Sequence, residues 1–155
     1  MTTIFASRPA TRRSAGAVLA IVLLALAAAG CMPTDSRSFL DRTNALRSAN
    51  GVRTLAENDN LTRKAEEWAQ HMAATGRLEH STLSANLGGL QWRALGENVG
   101  YSSPTGDTLK TIHDMFVSSS GHRANLLKSG FTHMGVGVAQ DGRGRIWVAE
   151  VFATL

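Results

Sequence analysis

The spacing of apolar residues along the chain predicts helices first and an alternating tail last. Phe39, Leu40, Ala45 and Leu46 predict a helix over 39–49, stopped at Asn50-Gly51 by residues that tolerate positive φ. Leu61, Ala65, Trp68, Ala69 and Met72 recur at helical spacing, with Arg63, Lys64, Glu66, Glu67 and Gln70 mostly on the other face. This second helix starts among Asn58 to Asn60, where a short polar side chain can cap it, and ends near Gly76. From Arg77 to Tyr101 the chain reads as loop with turns at Gly88-Gly89 and Gly96, and a strand begins at Val99 to Tyr101. Leu109, Ile112, Met115 and Phe116 predict a third helix over 107–117, which Ser118-Ser119-Ser120-Gly121 ends. The period then drops to two: Met134, Val136 and Val138, a turn at Asp141 to Gly144, then Ile146, Val148 and Val151. This order predicts an α+β domain, helices packed on a small antiparallel sheet.

The first thirty residues stand apart from that pattern. Arg8, Arg12 and Arg13 precede the apolar run Ala15 to Ala29, which ends at Gly30-Cys31. A basic start, a short apolar stretch and small residues before a break describe an export signal, and the run is shorter than the roughly 20 residues of a membrane-spanning helix. The only cysteine of the chain follows Ala28-Ala29-Gly30, which resembles a lipobox with Ala28 where leucine is usual. Two readings stand: lipidation at Cys31 as the first mature residue, or an ordinary cut after Ala29. The chain divides accordingly into a leader (1–30), a polar tether (31–38) and one domain (39–155).

Charge changes the picture once the leader is removed. Dropping Arg8, Arg12 and Arg13 takes Lys+Arg from 16 to 13 against 12 Asp+Glu, so no basic stripe remains and a nucleic-acid partner is not expected. With its cysteine at the boundary, the domain has no disulfide and relies on its core.

An ordered set of motifs runs through the domain: Asn44-x-x-Arg47, Leu78-Glu79-His80-Ser81, Gly96-Glu97-Asn98-Val99, Ser119-Ser120-Gly121-His122-Arg123-Ala124-Asn125-Leu126-Leu127, and Met134-Gly135-Val136-Gly137-Val138-Ala139. In this order and spacing they resemble the CAP superfamily, also called SCP or PR-1-like, in a short bacterial form without cysteines. The resemblance implies an α-β-α sandwich with a cleft lined by two histidines and two acidic residues. The histidines match His80 and His122 and the first acid matches Glu97, while the second acid's position falls at about Ser119. It also implies a binding protein at the cell envelope, lipid-anchored facing outward or secreted, with a small lipid or envelope component as partner and a monomeric state.

The residues themselves support several chemistries. Two neutral imidazoles suit a divalent metal such as Zn²⁺, and Glu97 is either a third ligand or the acceptor that fixes a ring tautomer. No local motif of the HExxH kind is present, so only folding brings His80, Glu97 and His122 together. Without metal, His122 bonded to Glu97 would tie two segments, while Asn98, Arg123 and Asn125 serve their loop and turn. A metal- or serine-dependent hydrolase using Glu97 and His122 is the alternative, although no G-x-S-x-G elbow or oxyanion hole is visible. His71 reads as solvated, His113 as unpartnered and His133 as a loop residue before a strand. Trp68 and Trp147 read as packing, and Trp92 and Tyr101 as cleft-wall aromatics.

Overall fold

The first helix begins earlier than its apolar pattern suggests. The computed structural model describes residues 33–155, so the expected leader and the reading of Cys31 lie outside the described residues. Within them, α1 spans Pro33–Ala49, which makes most of the expected polar tether helical. Proline lacks an N–H that the first turn would leave unpaired anyway, and Asp35 sits in the turn where the helix dipole favours a negative charge. Ser36 is buried one turn before Phe39, so the inward face extends back into the polar stretch.

The remaining elements are β1 (Ala56–Glu57), α2 (Asp59–Thr75), β2 (Ala94–Ser102), α3 (Thr108–Ser118), α4 (Ser120–Leu126), β3 (His133–Gln140) and β4 (Ile146–Thr154). Asn58 caps α2 by accepting from the amides of Asn60 and Leu61, and Gly76 closes it in the left-handed conformation. Asp107 caps α3 through the amide of Lys110. The break expected over Ser118 to Gly121 narrows to Ser119, and Gly121 to Leu126 is helical rather than a turn. Strand β2 starts five residues before the expected Val99, and β3 takes in His133. The hairpin turn closes with the Gly144 N–H donating to the Asp141 carbonyl.

The sheet order is β1-β3-β4-β2. Strands β2, β4 and β3 pair antiparallel, while the two-residue β1 adds a parallel edge on β3, so the sheet is mixed. Alternation along β4 divides the core in two. Trp147, Ala149, Val151 and Ala153 face α2, with its Leu61, Ala65, Ala69 and Met72. Val148 and Phe152 face the other way, onto Phe39 and Leu40 of α1, Ile112 and Phe116 of α3, and Leu126 of α4. The architecture is therefore an α+β sandwich with α2 on one face and α1, α3 and α4 on the other.

Two glycines set how closely α2 can lie. A Cβ at Gly135 would strike the backbone of Leu61 and Thr62, and one at Gly137 would strike the backbone of Ala65 and Glu66. The alternating small residues of Met134 to Val138 are thus a seat for the helix.

The largest buried polar side chain is Arg47, at 0% exposure. Its Nε donates to the Arg53 carbonyl at 2.7 Å, Nη1 to the carbonyls of Leu126 (2.7 Å) and Lys128 (3.2 Å), and Nη2 to that of Phe131 (3.4 Å). Burial works against the charge, and the fork of carbonyls offsets it. A lysine keeps the charge but cannot spread its donors over all four oxygens. Arg47→Lys is expected to cost about 2–4 kcal/mol of stability, read as a lower urea midpoint; an unchanged midpoint would show that the fork is dispensable.

Candidate functional site

Glu97 and Asn98 are neighbours on β2 and therefore point to opposite faces of the sheet. Glu97 faces the α2 side. Its Oε1 accepts from His80 Nδ1 at 2.8 Å and from the Ser81 amide at 2.9 Å. The Glu97 side chain is 1% exposed and His80 is 63% exposed, so a buried carboxylate orients a solvated imidazole. Because a carboxylate only accepts, the ring proton sits on Nδ1 and Nε2 is the nitrogen presented to a ligand. Glu97 Oε2 and Ser81 Oγ are buried without a hydrogen-bond partner among the described residues.

Lys64 holds the loop that carries His80. Its Nζ donates to the carbonyls of Thr82 (2.9 Å) and Ala85 (3.0 Å), and the residue is 5% exposed, against the solvent-facing position expected from periodicity. Burial lowers its pKa, and the charges of Glu97 and Glu67 oppose that shift. The ammonium thus stabilises the loop and the buried carboxylate together.

His122 arrives from the opposite side of β2, on the first turns of α4. Its ring lies 4.9 Å from that of Phe116, and its pKa is lowered first by burial and then by the charge of His80. The bond that sequence reasoning drew from His122 to Glu97 is absent among the described residues; His80 takes that place. The backbone carbonyl of His122 instead accepts from Asn98 Nδ2 at 3.2 Å. Asn125 Nδ2 donates to the Glu97 carbonyl (3.1 Å) and to Asn98 Oδ1 (3.0 Å). Asn98 and Asn125 therefore stitch the Gly-Glu-Asn strand to α4. Gly96 leaves room for this: a Cβ there would meet Phe131 and the Asn125 Oδ1.

A residue that sequence reasoning missed completes the arrangement. Glu150 on β4 is 0% exposed; its Oε2 accepts from Asn98 Nδ2 at 2.9 Å and its Oε1 from Thr43 Oγ1 at 3.3 Å. Burial pushes its pKa up to about 7, against the pull of the bonds from Asn98 and Thr43. Its signal in the sequence was a carboxylate inside the apolar run Ile146 to Phe152, at a position whose alternation faces inward.

The other candidates fall as follows. Ser119 separates α3 from α4 and lines an apolar groove with His122, Tyr101 and Met115. Arg123 is half-buried on α4, and the guanidinium that ties loop carbonyls is that of Arg47. His80 lines a different depression, with Lys64, Trp68 and His71. Among the described residues, no group of three or more His, Cys, Asp or Glu side chains is placed to hold a metal. His71 is exposed, as expected, and its Nε2 contacts Glu79 Oε1 at 3.1 Å while its ring stacks on Trp68 at 4.5 Å. His113 is buried edge-on to Phe39. Tyr101 stacks on Trp147 at 4.4 Å and lines the groove, whereas Trp92 is exposed and outside that lining.

The Glu150 carboxyl leads to a stability test. Between its ordinary value of 4.5 and about 7, the folded chain keeps a proton that the unfolded chain has released. Stability conferred by this group is therefore lost as pH rises through that interval, by up to about 3 kcal/mol. Urea midpoints at about pH 5 and about pH 8 are expected to differ more in the wild-type chain than in Glu150→Gln; equal pH slopes would remove Glu150 as the source.

With this geometry in view, comparison with known proteins gives a consistent picture. The model of the cysteine-rich secretory protein family, CAP, matches residues 40–151. YkwD of Bacillus subtilis is 26% identical over 121 residues, spanning 74% of this chain and 45% of YkwD. A cysteine-rich secretory protein of Staphylococcus aureus shares the fold with a TM-score of 0.65 at 23% identity, over 79% of this chain and 39% of its own. An outer surface protein of Borrelia burgdorferi does so with a TM-score of 0.68 at 14% identity, over 79% of this chain and 94% of its own. This chain thus spans less than half the length of the first two. The α2–sheet–α1/α3/α4 sandwich, the Gly-Glu-Asn strand stitched to the Gly-His-Arg helix and the match over 40–151 together show that the chain belongs to the CAP family.

Proposed function

We propose that this protein is an exported binding protein of the bacterial cell envelope whose cleft, at His80, Glu97 and His122, takes up a divalent metal such as Zn²⁺ through its two imidazoles. The observation that carries the reading is the bond from His80 Nδ1 to the buried Glu97 carboxylate. A carboxylate behind an imidazole fixes the tautomer and raises the basicity of the other ring nitrogen, which is how metal-binding histidines are commonly supported. Glu97 serves as that support and not as a third ligand, so the protein supplies two ligands and solvent or a bound molecule completes the shell. Such a site is weak and exchangeable, as suits a binding role.

Zinc titration of the folded protein at neutral pH checks this. The wild-type chain is expected to bind one equivalent, the His80→Ala/His122→Ala double variant none, and Glu97→Gln about 10-fold more weakly, through loss of the supporting charge. Equal binding by wild type and the double variant would refute the metal site. Export rests on the leader-like run before Cys31 and on the staphylococcal and borrelial relatives, a secretory protein and an outer surface protein. In the reading of Cys31 as a lipid anchor, Cys31→Ser is expected to leave the membrane fraction; a variant that stays there at unchanged mass overturns it.

A further inference from the structure

The sheet of this protein ends in an edge, β2, where a side chain of α4 takes the Glu97 carbonyl and a groove runs beside the residues that follow. Strand β2 is outermost and pairs with β4 alone, through nine consecutive residue pairs without a bulge. Antiparallel ladders turn alternate residues toward and away from the partner. On β2 the Glu97 carbonyl turns away from β4, since it receives Asn125 Nδ2. On β4 the Ala153 carbonyl turns to the β3 side, where it accepts the Thr132 N–H, and the Thr154 carbonyl turns to the β2 side, where it accepts the Arg93 N–H. The same parity directs the N–H and C=O of Val99 and Tyr101 outward. Neither residue's outward groups have a hydrogen-bond partner among the described residues.

We propose that the end of β2 from Val99 to Ser102 docks an extended, uncharged peptide segment that pairs its backbone with Val99 and Tyr101.

The surroundings fit that occupant. Val99 to Ser103 are consecutive lining residues of a groove of about 470 Å³, to which α3 adds Met115 and Phe116 and α4 adds His122. Leu78 (51% exposed), Met115 (50%) and Tyr101 (36%) all border it, three of the five most exposed large apolar side chains among the described residues. No Asp, Glu, Lys or Arg lines the groove, so its charge complement is an uncharged segment. Four strand residues at about 3.3 Å each give a run of about 13 Å, room for about four residues of extended chain. The adjacent Asn125 amide already bonds the outward Glu97 carbonyl, which shows that the edge accepts an amide donor in place. An apolar small molecule would cover Leu78 and Met115 but leave the outward groups of Val99 and Tyr101 without partners, whereas a strand satisfies both. The usual protections of an exposed edge, a proline, a lysine or a bulge, are missing from β2.

The test reads those two amides directly, apart from the imidazoles, so its result is separable from that of the zinc titration. Hydrogen exchange is followed by NMR in the ¹⁵N-labelled protein, with and without a pool of end-blocked hexapeptides built from uncharged residues. The expected result is exchange slowed about 10-fold or more at Val99 and Tyr101, with Gly100 and Ser102, which already face β4, unchanged. The same pool N-methylated at alternate residues is expected to have no effect. The proposal is overturned if the two amides are unaffected by the unmethylated pool. Equal slowing by the methylated pool or by a long-chain alcohol overturns it in favour of an apolar small molecule. Slowing that appears with rising protein concentration alone overturns it in favour of a second copy of the chain.

Discussion

The bond between Asn98 and Glu150 is the one on which the cleft is built. A carboxylate with no access to water is costly unless hydrogen-bonded, and Glu150 has two neutral donors, Asn98 and Thr43. Meeting that demand commits one proton of the Asn98 amide. The rest of the amide's capacity then goes to α4, through the His122 carbonyl and the Asn125 side chain. At the far end of the same helix, Arg47 takes the Leu126 carbonyl. A seven-residue helix is too short to hold itself. Here buried polar groups from α1 and the sheet hold it at both ends, and the position of His122 follows from theirs.

The two consecutive polar residues of β2 show how a strand divides its labour. Glu97 and Asn98 serve one face of the sheet each: Glu97 orients His80 on the α2 side, and Asn98 fixes α4 on the other. Lys64 and Arg47 play matching parts, each a buried cation spent on loop carbonyls, one beneath His80 and the other beneath the end of α4. The two imidazoles are thus held by independently braced supports, one on each side of β2.

Much of this was legible in the sequence. Helical spacing located α2 and α3, alternation located the final hairpin, and the ordered motifs implied the sandwich and the candidates His80, Glu97 and His122. What was missed has a common physical cause: periodicity assigns polar residues to solvent. Lys64 sits on the flank of the α2 stripe and is buried because two carbonyls and a carboxylate charge meet it there, which no spacing rule records. Ser36 and the rest of the first turn read as a tether for the same reason. Glu150 interrupts an apolar strand, and its partner Thr43 lies 107 residues away. The helical form of Gly121 to Leu126 was hidden because its stability comes from tertiary bonds and not from its own residues.

The glycine seat under α2 carries a consequence for how sequence change propagates. Gly135 and Gly137 touch helix backbone, which cannot rotate out of the way as a side chain can. A methyl group at either position acts as a wedge: it lifts the helix near Leu61 or Ala65 and tilts everything fixed to it. Lys64 lies between those two contacts, and it is fixed to the loop that presents His80. The seat therefore behaves as the fulcrum of a lever whose short arm lies in the core and whose long arm ends at the cleft. Neutral-looking alanine substitutions on β3 would displace an imidazole that they never touch.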